Sequence, residues 1–368
     1  MQSKVYFTDM RCKVGTNLLQ KLDTLIRRAG IEEIDMRDQF VAIKLHFGEP
    51  GNLSFLRPNF AKAVADRVKE QGGRPFLTDC NTLYVGRRKH ALEHIAAAYE
   101  NGFTPLSTGC QVIIADGLKG TDDVEVPLTG CTEFKSALIG RGIMDADVFI
   151  SLTHFKGHEL TGFGGAIKNI GMGCGSRAGK MAMHSIGKPS VDPEKCRGCR
   201  TCARFCAQSA ISFDENRKAV IDHEKCAGCG RCIGTCNFDA ISNGYDADSA
   251  ILNRRMAEYT KAVLDGRPHF HISIVNQVSP FCDCHGENDA AIVPDIGMFA
   301  SFDPVALDKA CIDAVNAAPV IQSSIMSERQ CTHHDHFTDL HPTTDWRSQI
   351  DHAVRIGLGS ADYELITL

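Results

Sequence analysis

Two runs of closely spaced cysteines are the strongest chemical signal in this sequence. Eight of its 17 cysteines lie between Cys196 and Cys236, and each run has the spacing Cys-x2-Cys-x2-Cys-x3-Cys. In a long chain, cysteines at this density indicate metal or redox chemistry rather than disulfides. A structural zinc module is the alternative, but zinc favours paired Cys-x2-Cys knuckles separated by a longer gap. The runs comprise Cys196, Cys199, Cys202 and Cys206, followed by Cys226, Cys229, Cys232 and Cys236.

The two runs belong to an internal repeat with an offset of 30 residues, because 11 of the 22 positions in 191–212 are identical in 221–242. The repeat resembles the bacterial two-cluster ferredoxins, in which the fourth cysteine of each run binds the other cluster. The resemblance implies two 4Fe–4S clusters and a low-potential one-electron carrier. It assigns Cys196, Cys199, Cys202 and Cys236 to the first cluster, and Cys226, Cys229, Cys232 and Cys206 to the second.

A second group of chemically capable residues lies between positions 153 and 184, and it combines histidines, lysines and many glycines. Dense glycine lets the backbone approach a ligand closely, and clustered cations favour an anion or a metal. The alternative is an ordinary glycine-rich turn with solvated cations. Candidate catalytic residues are His154, Lys156, His158, Lys168, Lys180 and His184, and candidate cofactor-binding residues are Gly162, Gly164, Gly165 and Asn169. Lys44 and His46, at the end of another predicted strand, are candidates to join them.

A third signal is the run Cys282-Asp283-Cys284-His285, which follows a predicted strand. Two cysteines and an adjacent histidine offer two or three soft ligands, so Cys282, Cys284 and His285 are a candidate third metal site. The alternatives are a redox-active cysteine pair and a buried cysteine pair without a function of its own.

The elements that must position these groups alternate between strand and helix. Apolar runs such as 41–47 and 148–152 alternate with helical patterns such as 58–70. This alternation predicts an α/β fold, a doubly wound and largely parallel sheet. Strands are also predicted at 271–275 and 291–293, and Asp303-Pro304 predicts a helix start. Because ligands bind beyond the carboxyl ends of such strands, the second and third signals are expected at that edge.

The cysteine repeat interrupts this pattern. We therefore predict a first α/β segment over 1–186, an inserted α+β ferredoxin-like domain over 187–246, and a second α/β segment over 247–368.

Several motifs resemble the DUF362 family over nearly the whole chain. They are the runs at 46–49, 78–82, 153–158 and 295–308. The resemblance implies an α/β domain of unassigned function that often carries a ferredoxin insert. The run from Gly162 to Lys168 is similar to that of the nickel-pincer lactate racemases. That similarity implies a cofactor attached at Lys168 and a metal bound by His184.

Composition excludes several classes of protein. Hydrophobic residues make up 43% and charged residues 23%, which is typical of a folded globular chain. A net charge of −5 argues against nucleic-acid and anionic-membrane partners. No apolar run approaches the ~20 residues of a membrane helix, and the N-terminus lacks a signal-peptide core. We therefore expect a cytoplasmic protein.

These observations favour an iron–sulfur protein that exchanges electrons with a redox partner protein, a small-molecule donor or acceptor, or a ligand of the α/β domain. The alternative is an iron–sulfur redox enzyme, or a racemase-like metal enzyme, with its active site at 154–184 and at Cys282 and Cys284. Because exposed clusters are oxygen-labile, we expect an anaerobic setting.

Overall fold

The structure is a computed structural model of the chain. It describes residues 2–83, 86–184, 188–204, 206, 208–226, 232, 236, 238, 240–242, 249–329 and 334–368. The predicted boundaries of the insert, 186/187 and 246/247, lie outside the described residues, as does Cys229.

Eight of the described strands form one central sheet, in the order β16-β1-β15-β14-β7-β2-β3-β4. The strands are β1 (Ser3–Asp9), β2 (Phe40–Lys44), β3 (Arg74–Asp79), β4 (Gln111–Ile114), β5 (Asp123–Pro127), β6 (Ser136–Gly140), β7 (Val148–His154), β8 (Lys156–His158), β9 (Gly162–Gly164), β10 (Ser190–Val191), β11 (Ile211–Phe213), β12 (Ala219–Ile221), β13 (Ile241–Ser242), β14 (His269–Val275), β15 (Gly297–Ser301) and β16 (Tyr363–Thr367). Among the described strands of this sheet, β15 alone is antiparallel to its neighbours. The expectation of an α/β fold with a mostly parallel sheet is therefore confirmed.

Helices cover both faces of this sheet. The described helices are α1 (Leu18–Arg28), α2 (Pro58–Glu70), α3 (Ala91–Glu100), α4 (Pro105–Thr108), α5 (Arg141–Met144), α6 (Ala166–Cys174), α7 (Arg177–His184), α8 (Thr201–Arg204), α9 (Ser249–Leu264), α10 (Pro304–Ala317), α11 (His336–Leu340) and α12 (Arg347–Arg355). Val41 and Ile43 of β2 belong to the core that contains α1 and α2. Ala42, between them, belongs to the core that contains α6 and α9. Successive side chains of a strand point to opposite faces, so both faces are buried.

One predicted strand is wrong. Residues 291–293 form a loop, and the strand of this region is β15, a few residues later. Ile292 and Val293 are nevertheless completely buried. Their apolar character reflects burial of a loop rather than pairing in a sheet, which a three-residue apolar run cannot distinguish.

The cysteine repeat forms two small antiparallel ladders that exchange strands between its halves. Strand β10 of the first half pairs with β13 of the second, and β12 of the second half pairs with β11 of the first. The same contact recurs in both halves, because the amide of Asp192 donates to Ala240 and that of Asp222 donates to Ala210, each at 2.7 Å. The internal sequence repeat is therefore a structural repeat as well.

Within the part of the chain that the structure describes, no helix combines the length and the apolar character needed to cross a membrane.

Helix α6 begins against a buried carboxylate from α10, a helix 142 residues further along the chain. The amides of Ala166 and Ile167 donate to Asp308 of α10 at 2.6 and 2.9 Å. Gly165 precedes them, and a Cβ at this position would lie 2.3 Å from the Asp308 Oδ1. Burial raises the pKa of Asp308 to about 7. Asp308 therefore occupies the helix N-terminus that an anionic ligand would otherwise use.

We expect Asp308→Ala to lower the free energy of unfolding by about 2–4 kcal/mol, because it leaves two buried N–H donors without an acceptor. Asp308→Asn keeps an acceptor oxygen and should have a smaller effect. Urea unfolding at constant m-value measures both changes. The control is Asp351→Ala, an exposed acid of α12, expected to change stability by less than about 0.5 kcal/mol. An Asp308→Ala protein as stable as this control would contradict the capping role.

Candidate functional site

A cavity of about 460 Å³ lies at the carboxyl ends of the central strands. Strands β2, β3 and β4 follow one another outward, whereas β7 returns to the other side of β2. Such a reversal of strand order opens a crevice between neighbouring strands, and it is where open α/β sheets bind ligands. Lys44, Asp79 and His154, the last residues of β2, β3 and β7, all line this cavity.

The cavity brings together nearly all the residues that the sequence proposes for ligand chemistry. It is lined by His154, Lys156, His158, Gly164, Gly165, Lys168, Asn169, Lys180, His184, Cys282, Cys284 and His285, and by Lys44 and His46. Gly162 is not among the lining residues. Its φ of +81° and its close approach to Trp346 indicate a turn and packing position instead.

Asn169 of α6 links β7 and β2, the neighbouring strands at which the strand order reverses. Its Nδ2 donates to Thr153 Oγ1 at 3.0 Å, and its Oδ1 accepts from Lys44 Nζ at 2.8 Å. The same ammonium lies 3.1 Å from Asp79 Oδ1, and both groups are buried. Burial acts to raise the pKa of Asp79, but Lys44 and other nearby cations outweigh it, so this pKa is lowered. Asn169 is therefore a positioning residue for the cavity floor.

A buried carboxylate holds the loop after β14 against β7. Asp283 is completely buried, and its carboxylate lies 3.0 Å from His154 Nδ1 and 3.3 Å from Lys156 Nζ. Burial acts to raise the pKa of Asp283, but His154 and Lys156 outweigh it and lower this pKa. The Nε2 of His154 donates to the carbonyl of Asn276 at 2.8 Å. Both ring nitrogens of His154 thus have protein partners, which assigns this residue a positioning role.

A thiol and a lysine meet inside the cavity. Lys168 Nζ lies 3.5 Å from Cys282 Sγ. A hydrogen bond with Cys284 lowers the pKa of Cys282 well below its ordinary value, and Lys168 and His158 act in the same direction against burial. Thiolates are both nucleophiles and metal ligands. The lowered pKa therefore favours the thiolate form of Cys282 in this corner of the cavity.

His184 ends α7 at the same cavity. Burial lowers the pKa of His184 to about 3, and the nearby Lys168 adds to this effect. A neutral imidazole is the form that binds metals. Lys180, one turn earlier, donates to the carbonyl of Gly175 at 2.6 Å at the end of α6. Lys180 thus satisfies a helix carbonyl as well as lining the cavity.

Sequence reasoning missed several acidic and basic groups of the cavity. Glu49 and Arg88 form a buried ion pair at 2.7 Å, and Arg88 Nη1 also contacts His46 Nε2 at 2.8 Å. Asp79 was detectable, because it ends β3 just as Lys44 ends the adjacent β2. Glu159 lies inside the segment that the sequence singles out, but a carboxylate was not expected among clustered cations.

Four cysteines of the repeat line a second, small cavity, together with apolar groups such as Phe213 and Ile241. They are Cys196, Cys199, Cys202 and Cys236. The amides of Ala219 and Ala240 donate to the sulfurs of Cys196 and Cys236, each at 3.4 Å. A set of four thiolates with N–H donors and apolar walls fits the ligand set of an iron–sulfur cluster.

In the other predicted set, Cys206, Cys226 and Cys232 are described, and Cys229 lies outside the described residues. The sulfur of Cys206 accepts from the amide of Ala210 at 3.3 Å. This bond is equivalent to the one that Ala240 makes with Cys236 in the other half of the repeat.

The fold and the site together define a class of protein. It is an α/β domain with a ligand-sized cavity where the order of the strands reverses. The chain belongs to the family described as "Domain of unknown function (DUF362)", whose profile matches residues 41–313. It is 30% identical over 125 residues to the thylakoid-associated protein sll1697 of Synechocystis sp.. That match covers 34% of this chain and 35% of the relative, so the chain spans about a third of the curated protein it matches.

Two solved structures are distantly similar. A protein from Thermotoga maritima gives a TM-score of 0.43 at 10% identity, over 81% of this chain and 58% of that one. The lactate racemase apoprotein from Thermoanaerobacterium thermosaccharolyticum gives a TM-score of 0.38 at 12% identity, over 75% and 51% of the two chains.

We expect Asp283→Ala to lower the free energy of unfolding by about 3–5 kcal/mol, because it leaves the buried ammonium of Lys156 without its carboxylate. Adding Lys156→Met to this variant should restore part of the loss. Chemical denaturation measures both. The matched control is Asp289→Ala, an exposed acid in the same loop. Equal stability of Asp283→Ala and the control would contradict the positioning role of Asp283.

Proposed function

We propose that this chain is an iron–sulfur protein that holds two 4Fe–4S clusters and transfers electrons. The eight cysteines of the repeat are the ligands, with Cys196, Cys199, Cys202 and Cys236 on one cluster. Cys226, Cys229, Cys232 and Cys206 are the ligands of the other. The electrons pass to or from a partner protein, a small-molecule donor or acceptor, or a ligand of the α/β domain.

The convergence of four thiols on one cavity carries this proposal. Cys236 is separated in sequence by more than 30 residues from the other three cysteines of this set. The exchange of strands between the halves brings it to them, because β13 follows Cys236 and pairs with β10, which precedes Cys196. A structural zinc ion would instead be bound by two Cys-x2-Cys pairs, and not by three cysteines of one run and one of the other.

The surroundings of these thiols suit an electron carrier. Cys196, Cys202 and Cys236 are buried among apolar side chains. Apolar walls limit solvent access, and N–H donors to sulfur stabilise the reduced cluster, so both tune the reduction potential. The remaining ligand, Cys199, is exposed. An exposed ligand gives a partner a short path for electron transfer.

The metal content of anaerobically purified protein tests this proposal. We expect about eight irons and eight sulfides per chain, the content of two four-iron clusters. Cys199→Ser should lower the iron content to about half, because serine replaces one thiolate of a single cluster. Cys12→Ser, at an exposed cysteine outside the repeat, should leave the iron content unchanged.

Electron paramagnetic resonance of the dithionite-reduced protein provides a second readout. The wild type and Cys12→Ser should give the signal of two interacting clusters, and Cys199→Ser should give that of a single cluster. Zinc in place of iron, or equal iron in Cys199→Ser and Cys12→Ser, would contradict the assignment.

The large cavity supports a second candidate function, an enzyme whose substrate binds in the α/β domain. Its volume of about 460 Å³ is that of a small-molecule site. Lys168 and Cys282 face each other inside it, 3.5 Å apart. A lysine ammonium in such a cavity favours an anionic ligand, for example a small carboxylate. With clusters in the same chain this would be a redox enzyme, and with a resident metal it would be a racemase-like metal enzyme.

Ligand-induced stabilisation tests whether the cavity holds the small anionic ligand that the second candidate requires. If a small carboxylate binds the cavity, a concentration of 100 times its Kd should stabilise the wild type by about 2.7 kcal/mol. A panel of such carboxylates, screened by thermal unfolding, measures this. Lys168→Ala should abolish the shift, whereas Lys119→Ala, at an exposed lysine, should retain it. Equal shifts in both variants would contradict binding at Lys168, and the lack of a shift in the wild type would favour the electron carrier alone.

A further inference from the structure

Three potential metal ligands of different types converge at one wall of the large cavity. Glu159 follows β8, and Cys284 and His285 lie in the loop after β14. The carboxylate of Glu159 lies 3.0 Å from His285 Nε2. One ligand atom from each of the three residues lies within 4.8 Å of the other two. These distances suit donors that share one ion, because adjacent ligands of a bound metal lie about 3–4 Å apart when each metal–ligand bond is about 2.0–2.3 Å.

An unpartnered oxygen marks the same place. The second carboxylate oxygen, Oε2 of Glu159, is buried and has no hydrogen-bond partner among the described residues. A buried polar atom without a partner is rare and indicates a missing water or ion. The ion pair with His285 uses only Oε1, so it does not explain this oxygen.

The loop that carries the two other ligands is held rigidly. Its Asp283 is buried against β7 as described above, and the amide of Glu49 donates to the Asp283 carbonyl at 3.0 Å. The amide of His285 donates to the carbonyl of Cys282 at 3.1 Å, which closes a tight turn. Asn52 Nδ2 donates to the carbonyl of His285 at 3.1 Å. Ligands held in this way lose little freedom when an ion binds.

We propose that Glu159, Cys284 and His285 bind one divalent transition-metal ion of the zinc type. A mixed sulfur, nitrogen and oxygen donor set selects Zn²⁺, Co²⁺ or Ni²⁺ over Mg²⁺ and Ca²⁺, which prefer oxygen alone. Three protein ligands leave one tetrahedral position open, as in catalytic zinc sites. All three residues line the cavity, so the open position faces it. The ion can therefore bind a ligand in the cavity.

This site differs from the one that the sequence indicates. The run Cys282-Asp283-Cys284-His285 predicts two cysteines and a histidine as ligands. In the structure, Cys282 Sγ lies next to Lys168 Nζ, and Glu159 approaches His285 instead. The proposed ligand set therefore exchanges Cys282 for Glu159. The site is separate from the eight cysteines of the repeat, so it goes beyond the proposed function.

Cobalt titration of the whole chain, purified anaerobically, tests the proposal. Co²⁺ bound to a thiolate gives a charge-transfer absorption band in the near ultraviolet. We expect the wild type to bind one Co²⁺ with this band, and Zn²⁺ to displace it. Cys284→Ser should abolish the band, and Glu159→Gln and His285→Ala should weaken Co²⁺ binding by about tenfold or more.

Matched variants make the outcome specific. Glu287→Gln, at an exposed acid of the same loop, and Cys12→Ser should bind Co²⁺ as the wild type does. Cys282→Ser should also retain the band. A band that persists in Cys284→Ser, or a Glu159→Gln protein with wild-type affinity, would overturn the proposal. If the cysteines of the repeat held no clusters, they would bind cobalt in every variant, and the difference between the wild type and Cys284→Ser would still report this site.

Discussion

The candidate site depends on one buried charge, the carboxylate of Asp283. A carboxylate without access to water must be paired. Asp283 meets this requirement through His154 and Lys156, at the end of β7 and the start of β8. Because breaking this contact would leave a buried charge unpaired, the pairing holds the loop that follows β14 against β7. The residues on either side of Asp283 are therefore held at the cavity wall. The positions of Cys282 and Cys284 at the cavity thus depend on the ion pairs of Asp283, which does not itself line the cavity.

Helix α6 forms the other side of the cavity, and close backbone packing determines its position. A Cβ at Gly171 would lie 2.1 Å from the carbonyl of Met256, so α6 and α9 approach closely only because this residue is glycine. Asp308 caps the start of the same helix. With both contacts in place, Lys168 and Asn169 project toward the strand ends. The glycines of this segment thus serve packing between helices as much as access for a ligand.

The repeat and the cavity bring their side chains together in different ways. In the repeat, Cys196, Cys199 and Cys202 are close in sequence, and an exchange of short strands brings Cys236 to them. In the cavity, the groups come from β2, β3, α6, α7 and the loop after β14, and the parallel order of the strands brings them to one edge. The first arrangement is local and repetitive, whereas the second needs the complete sheet.

The sequence by itself determined the features that depend on neighbouring residues. The cysteine spacing, the alternation of strands and helices, and the N-cap at Asp303 are local patterns, and the sheet and the helix Pro304–Ala317 follow them. The parallel sheet also made the carboxyl edge predictable as the place of Lys44 and His154. The buried loop at 291–293 was mistaken for a strand because apolar character reports burial and not hydrogen bonding.

Only the tertiary structure decided which distant groups meet. Asp308 and Ala166 are 142 residues apart, and Glu159 and His285 are 126 residues apart. Such contacts depend on the order of the strands in the sheet and on which charges must be paired once water is excluded. Neither is encoded in a local pattern, so Asp283 and Glu159 became visible as parts of the site only in the folded chain. The fold decides which charges are buried, and it therefore also decides which partner each buried charge must have.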